Sequence, residues 1–140
     1  MNDSPSAILR KWFERVWNAG DESVLDELYG ASAVAHGQPA TPIPGPEGFK
    51  PLYRSFRSAF PDIRIEVTHA LSEGDLGVVH CRVTGTHTGD GLGVPPTNRP
   101  VDFTGMTMAR VAGGRIHEGW NVYDFLSMYQ QLGIEPPKPV

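Results

Sequence analysis

The feature that most constrains this chain is a change of period. Up to Phe60 apolar residues recur at helical spacing, and from Ile63 to Tyr123 they alternate with polar ones. Helices first and strands later exclude a regular βαβ succession and predict an α+β fold, with the helices gathered on one face of an antiparallel sheet. Ser4 before Pro5 predicts a capped first helix carrying Ile8, Leu9, Trp12, Phe13, Val16 and Trp17 on one stripe and stopping at Gly20. Asp21 caps a short second helix with Val24, Leu25 and Leu28 inward, followed by a brief strand at Ala33 to His36.

Gly37 to Pro46 holds four prolines and two glycines in ten residues, which predicts a rim loop. Phe49, Leu52, Tyr53, Phe56 and Phe60 give a third helix from Glu47, stopped by Pro61. Strands are expected at Ile63 to Thr68, Val78 to Thr86, Val101 to Val111 and Arg115 to Tyr123. Turns at Glu73 to Asp75 and Ala112 to Gly114 join two of the pairs, and the Gly89 to Pro100 segment is an ordered connection. Asp124 caps a final helix, Phe125 to Leu132, and Gly133 ends it. One domain over residues 1–140 is expected, with its core at about 5–133 and a loose tail at 134–140.

A net charge of −4 with scattered Lys and Arg argues against nucleic acid, and no apolar run is long enough to span a bilayer. The lone cysteine, Cys81, has no internal disulfide partner, and a cytoplasmic location is expected. His69, His80, His87 and His117 lack the close pairing of metal ligands in sequence. Cys81 and His80 point to opposite strand faces and form no nucleophile and base pair.

The segments Gly45-Pro46-Glu47-Gly48-Phe49, Ala59-Phe60-Pro61-Asp62, Gly85-Thr86-His87-Thr88-Gly89, Leu92 to Arg99 and Gln130-Gln131-Leu132-Gly133 resemble, in order, the SnoaL-like polyketide (ester) cyclases. The resemblance covers residues 7 to 133. It implies a nuclear-transport-factor-like cone, a curved sheet with the N-terminal helices on its concave side, often dimeric through the outer face. It also implies ring closure by intramolecular aldol chemistry without metal or cofactor.

The family's acid/base aspartate falls on Asn121. Its supporting histidine and glutamine fall on Thr107 and Gly105, and its asparagine near Ala35 or His36. An amide does not titrate near neutrality, which leaves His36 as the replacement base and Asn121 as an oxyanion donor. Trp12, Tyr53, Phe56, Gly105, Thr107 and Tyr123 are the expected ligand contacts, and Asp124 is read as a helix cap.

Two functions stay open. One is a cofactor-independent cyclase or isomerase acting by proton transfer on a small apolar or polyketide-like molecule; the other is a binder that kept the cavity and lost the chemistry. A homodimer is expected through a convex face carrying Met106, Met108 and Trp120.

Overall fold

The computed structural model describes residues 3–37 and 43–136. Residues 38–42 of the expected rim and 137–140 of the expected tail lie outside these. Ser4 accepts a hydrogen bond from the Ala7 backbone and starts α1 (Pro5–Lys11). The helix continues as a π-helical stretch, Trp12–Asn18, whose wider turns set Trp12, Phe13, Val16 and Trp17 all inward. Asp21 caps α2 (Glu22–Leu28), and the chain passes directly into β1 (Tyr29–His36). α3 (Pro46–Ala59) follows, then β2 (Arg64–Glu73), β3 (Leu76–Thr86), β4 (Pro100–Ala112), β5 (Arg115–Tyr123) and α4 (Phe125–Leu132). Asp124 accepts from the Ser127 backbone at the start of α4, and Gly133, at φ 71°, closes it in the left-handed region.

Helices and one curved five-stranded sheet, in the order β1-β5-β4-β3-β2, make up the α+β fold expected from the sequence. One feature departs from that expectation. β1 is longer than Ala33 to His36 and runs parallel to β5, while the other three pairings are antiparallel. A second irregularity is a bulge between Val67 and His69, where Thr68 is the extra residue against β3.

On β3 and β4, and on β5 beyond a bulge at His117, the odd-numbered side chains face the helices, so Val79, Cys81, Val83, Phe103, Ala109 and Asn121 are buried; before that bulge it is Ile116 that points inward. The helices supply the opposing layer through Leu9, Trp12, Val16, Leu25 and Phe49.

Both free edges are partly occupied. The Gly45 backbone N–H donates to the Ala33 carbonyl on β1 at 2.8 Å. On β2, the Asn18 amide receives the Ile65 N–H at 2.6 Å and donates to the Ile65 carbonyl at 2.8 Å, so one side chain stands in for a missing strand. Removing it strands two partly buried backbone groups. Asn18→Ala should therefore destabilise the fold by about 1–3 kcal/mol, and Asn18→Asp, which keeps only the acceptor, by less. Urea unfolding midpoints for the two variants check the order.

Candidate functional site

Between the concave sheet face and the helices lies a cavity of about 80 Å³. Leu9, Trp12, Phe13, Trp17, Phe49 and Phe56 form its helical side. Ala35, Ile65, Val83, Phe103, Thr107, Ala109, Gly119, Asn121 and Tyr123 are among its sheet side. Aromatic rings dominate the upper wall: Trp12 stacks on Tyr29 at 5.5 Å between centroids and meets Phe49 edge-on at 5.4 Å.

Three polar side chains on the sheet form one connected chain. Thr107 and Asn121 are register partners on β4 and β5, and the Thr107 hydroxyl donates to Asn121 Oδ1 at 2.8 Å. That hydroxyl has a single proton. Its 2.9 Å contact with the Tyr123 hydroxyl is therefore a bond in which Tyr123 donates. At the other end Asn121 Nδ2 donates to the backbone carbonyl of His36 at 3.1 Å.

Gly105 makes this arrangement possible. It pairs with Tyr123 across the ladder, and a Cβ there would lie 2.2 Å from the tyrosine ring. The ring instead lies flat over β4, which carries its hydroxyl to Thr107.

The ionisable groups of the lining are Tyr29 and Tyr123. Burial pushes Tyr29 up to about 12. Burial, and then the neighbouring Cys81, raises Tyr123 further still. The Cys81 thiol, behind Tyr123, is itself pushed up to about 11, chiefly by burial. Each of these groups carries its proton at neutral pH, and among the described residues no carboxylate, lysine or histidine lines the cavity.

Of the residues singled out from the sequence, Trp12, Phe56, Thr107, Asn121 and Tyr123 come together on the cavity wall. Three do not. His36 is a correction: Ala35 faces inward, and the His36 ring lies outside, stacked on Trp120 at 5.6 Å, with Nε2 2.8 Å from Glu118. Tyr53 is buried behind the wall, packed on Trp17, with its hydroxyl donating to the Val16 carbonyl. Gly105 lies under the Tyr123 ring.

Asp124 is occupied as a cap, and Asp102 pairs with Arg82 on the outer face. Trp17, read from the sequence as packing, lines the cavity as well. Ala109 and Gly119 carry no signal in the sequence because small residues advertise no chemistry, whereas Ala35 is one of the two positions onto which the family's asparagine falls.

His69 and His80, spread apart in sequence, also meet. The bulge turns Thr68 and His69 to the same side, and Thr68 Oγ1 contacts Nδ1 of both rings.

Residues 7–132 match the SnoaL-like polyketide cyclase family. Aklanonic acid methyl ester cyclase DauD from Streptomyces sp. (strain C5) is 25% identical over 142 residues, spanning 97% of this chain and 86% of that protein. Among solved structures, IdmH of Streptomyces antibioticus, a polyketide cyclase candidate, superposes with a TM-score of 0.79 at 34% identity. That match covers 94% of this chain and all of IdmH. A SnoaL-like polyketide cyclase candidate from Jannaschia sp. CCS1 gives a TM-score of 0.81 at 26% identity, over 97% and 99% of the two chains. With the curved sheet, the helix-covered cavity and the residue order all in agreement, the chain belongs to the SnoaL-like polyketide cyclase family.

Proposed function

We propose that this chain binds a small, largely apolar molecule bearing a carbonyl or similar oxygen, and that it does not withdraw a proton from that molecule within the cavity. The observation that carries this reading is the lining, which is aromatic and aliphatic except for Thr107, Asn121 and the two high-pKa tyrosines. Proton abstraction from carbon near neutral pH calls for a base within hydrogen-bond reach of the substrate. Asn121 has no proton to exchange in that range, and the His36 ring stands on the far side of the sheet. Binding needs only what is present, an apolar enclosure with a few placed polar groups.

Ligand identity is approached by native mass spectrometry of freshly purified protein, which should show a small molecule retained at one copy per chain. Affinity for acetophenone, a small aromatic ketone, should be flat from about pH 5 to 9, because none of the described lining groups titrates there. His36→Ala should leave it unchanged. A histidine-like step in affinity near pH 6.5 that disappears in His36→Ala would restore the enzyme reading.

Asn121→Asp reverses the polarity of one contact. A carboxylate there would face the His36 carbonyl, lone pair against lone pair, in a buried site, and both effects raise its pKa above the ordinary 3.9 or so. An acid with a raised folded pKa stabilises the native state below its unfolded pKa. That contribution is lost as pH climbs through the folded value. The variant's melting temperature, relative to the parent, should thus be highest near pH 4 and fall toward pH 8. Proton abstraction from an activated 1,3-dicarbonyl should appear only at the alkaline end, where the carboxylate forms.

We propose further that two copies associate through the outer sheet face. Met106 and Val122 are register partners there, 46% and 77% exposed, next to the Met108 and Trp120 pair. An apolar strip of this kind on an open sheet gains by being covered. The free, buried thiol of Cys81 supports a reducing, cytoplasmic setting. Light scattering should give twice the 15.3 kDa chain mass, and Val122→Glu should halve it. A 15.3 kDa species from the parent at micromolar concentration would refute the dimer.

A further inference from the structure

We propose that Gly119 and Asn121 form a subsite for a ligand carbonyl oxygen, and that Thr107 is the positioning residue that fixes which end of the Asn121 amide the ligand meets. This deepens the binding reading above and rests on it.

Ala35, Gly119 and Ala109 are register partners across β1, β5 and β4, so the concave face carries a row of its smallest side chains. All three line the cavity. Gly119 is not there for its backbone, since its φ is not positive. Nor is it there to avoid a clash: an added Cβ would meet only Asn121 Nδ2 at 3.8 Å and the Met108 carbonyl at 3.9 Å. What the missing side chain does is leave open space beside the Asn121 NH₂, on the cavity side.

The second observation is the amide itself. Asn121 is only 9% exposed, and its NH₂ carries two protons. One goes to the His36 carbonyl; the other has no partner among the described residues. The amide cannot easily turn over. The His36 carbonyl can only accept, so it holds the NH₂ end, and Oδ1 is then left to accept the proton of the Thr107 hydroxyl. Inverting the amide would set oxygen against oxygen at His36 and force the Thr107 and Tyr123 hydroxyls both to turn.

The remaining N–H therefore faces the space over Gly119 with fixed polarity. A ligand oxygen placed there at ordinary hydrogen-bond distance, about 2.7–3.2 Å, accepts it. The ligand's carbon skeleton then rests on the Ala35–Gly119–Ala109 shelf beneath the Trp12, Tyr29 and Phe49 rings. A ketone, ester or amide carbonyl fits this subsite.

The test compares acetophenone with ethylbenzene, which has the same outline and lacks the oxygen, by ligand-observed NMR on the full chain. A neutral hydrogen bond is expected to favour the ketone by about two- to tenfold in Kd. Thr107→Val should bring that preference close to one while ethylbenzene binding persists, and Thr107→Ser should restore it. Gly119→Val, which fills the space beside Nδ2, should remove the preference as well. Gly119→Ala, whose methyl makes only ordinary contacts, should reduce it in a chain with an unchanged melting temperature, which keeps the question decidable if Thr107→Val fails to fold.

Equal affinity of the parent for both compounds would overturn the subsite and leave the apolar pocket standing. Retention of the ketone preference in both Thr107→Val and Gly119→Val would overturn it too. If neither compound binds, the pocket reading falls and takes the subsite with it.

Discussion

A β-strand can bury only every second side chain, and the organisation of this molecule rests on how that rule is phased along β4 and β5. The odd-numbered residues of β4, with Ile116 and then Gly119, Asn121 and Tyr123 of β5, face the helices and supply the floor of the core and the cavity wall. The alternate set faces out and supplies Met106, Met108, Trp120 and Val122. The hairpin through Ala112 to Gly114 joins the two strands closely, and a bulge at His117 shifts the register beyond it so that Thr107 pairs with Asn121. Had the register slipped by one residue, the polar chain would lie on the outside and the methionines in the core.

This is also why some of the site was legible from sequence and some was not. Alignment with the family set Asn121 beside Thr107, and two-residue parity added Tyr123 to that face; the tight turn alone would have paired Thr107 with Trp120, because a bulge at His117 shifts the register by one. β1 has no such turn. It reaches β5 as a parallel strand after two helices, so nothing local fixed its phase, and the one-residue ambiguity between Ala35 and His36 resolved in favour of Ala35.

Tyr53 shows a different limit. Helical spacing identified its stripe correctly, but spacing cannot tell a ring that lines a cavity from one that lies a layer deeper with its hydroxyl tied to a backbone carbonyl. Gly105 is on the predicted face and is hidden by its own cross-strand partner. The meeting of His69 and His80 depended on a bulge for which the sequence gives no local sign.

The amide at position 121 is consistent with the rest of the wall. In an apolar cavity an ionised carboxylate needs donors around it to offset lost hydration. Here Thr107 supplies one donor, while the His36 carbonyl supplies an acceptor. That pair of neighbours matches the two ends of a neutral amide, one accepting and one donating, and would satisfy only half of a carboxylate. Asn121, Thr107 and the β1 backbone thus form a mutually consistent set. A change at one position leaves a buried donor or acceptor unpaired at another, so conversion to a carboxylate-dependent chemistry would require changes at more than one residue. The family's fold places a side chain at this point of the cone, and the hydrogen-bonding character of its two neighbours decides whether that side chain can carry a charge.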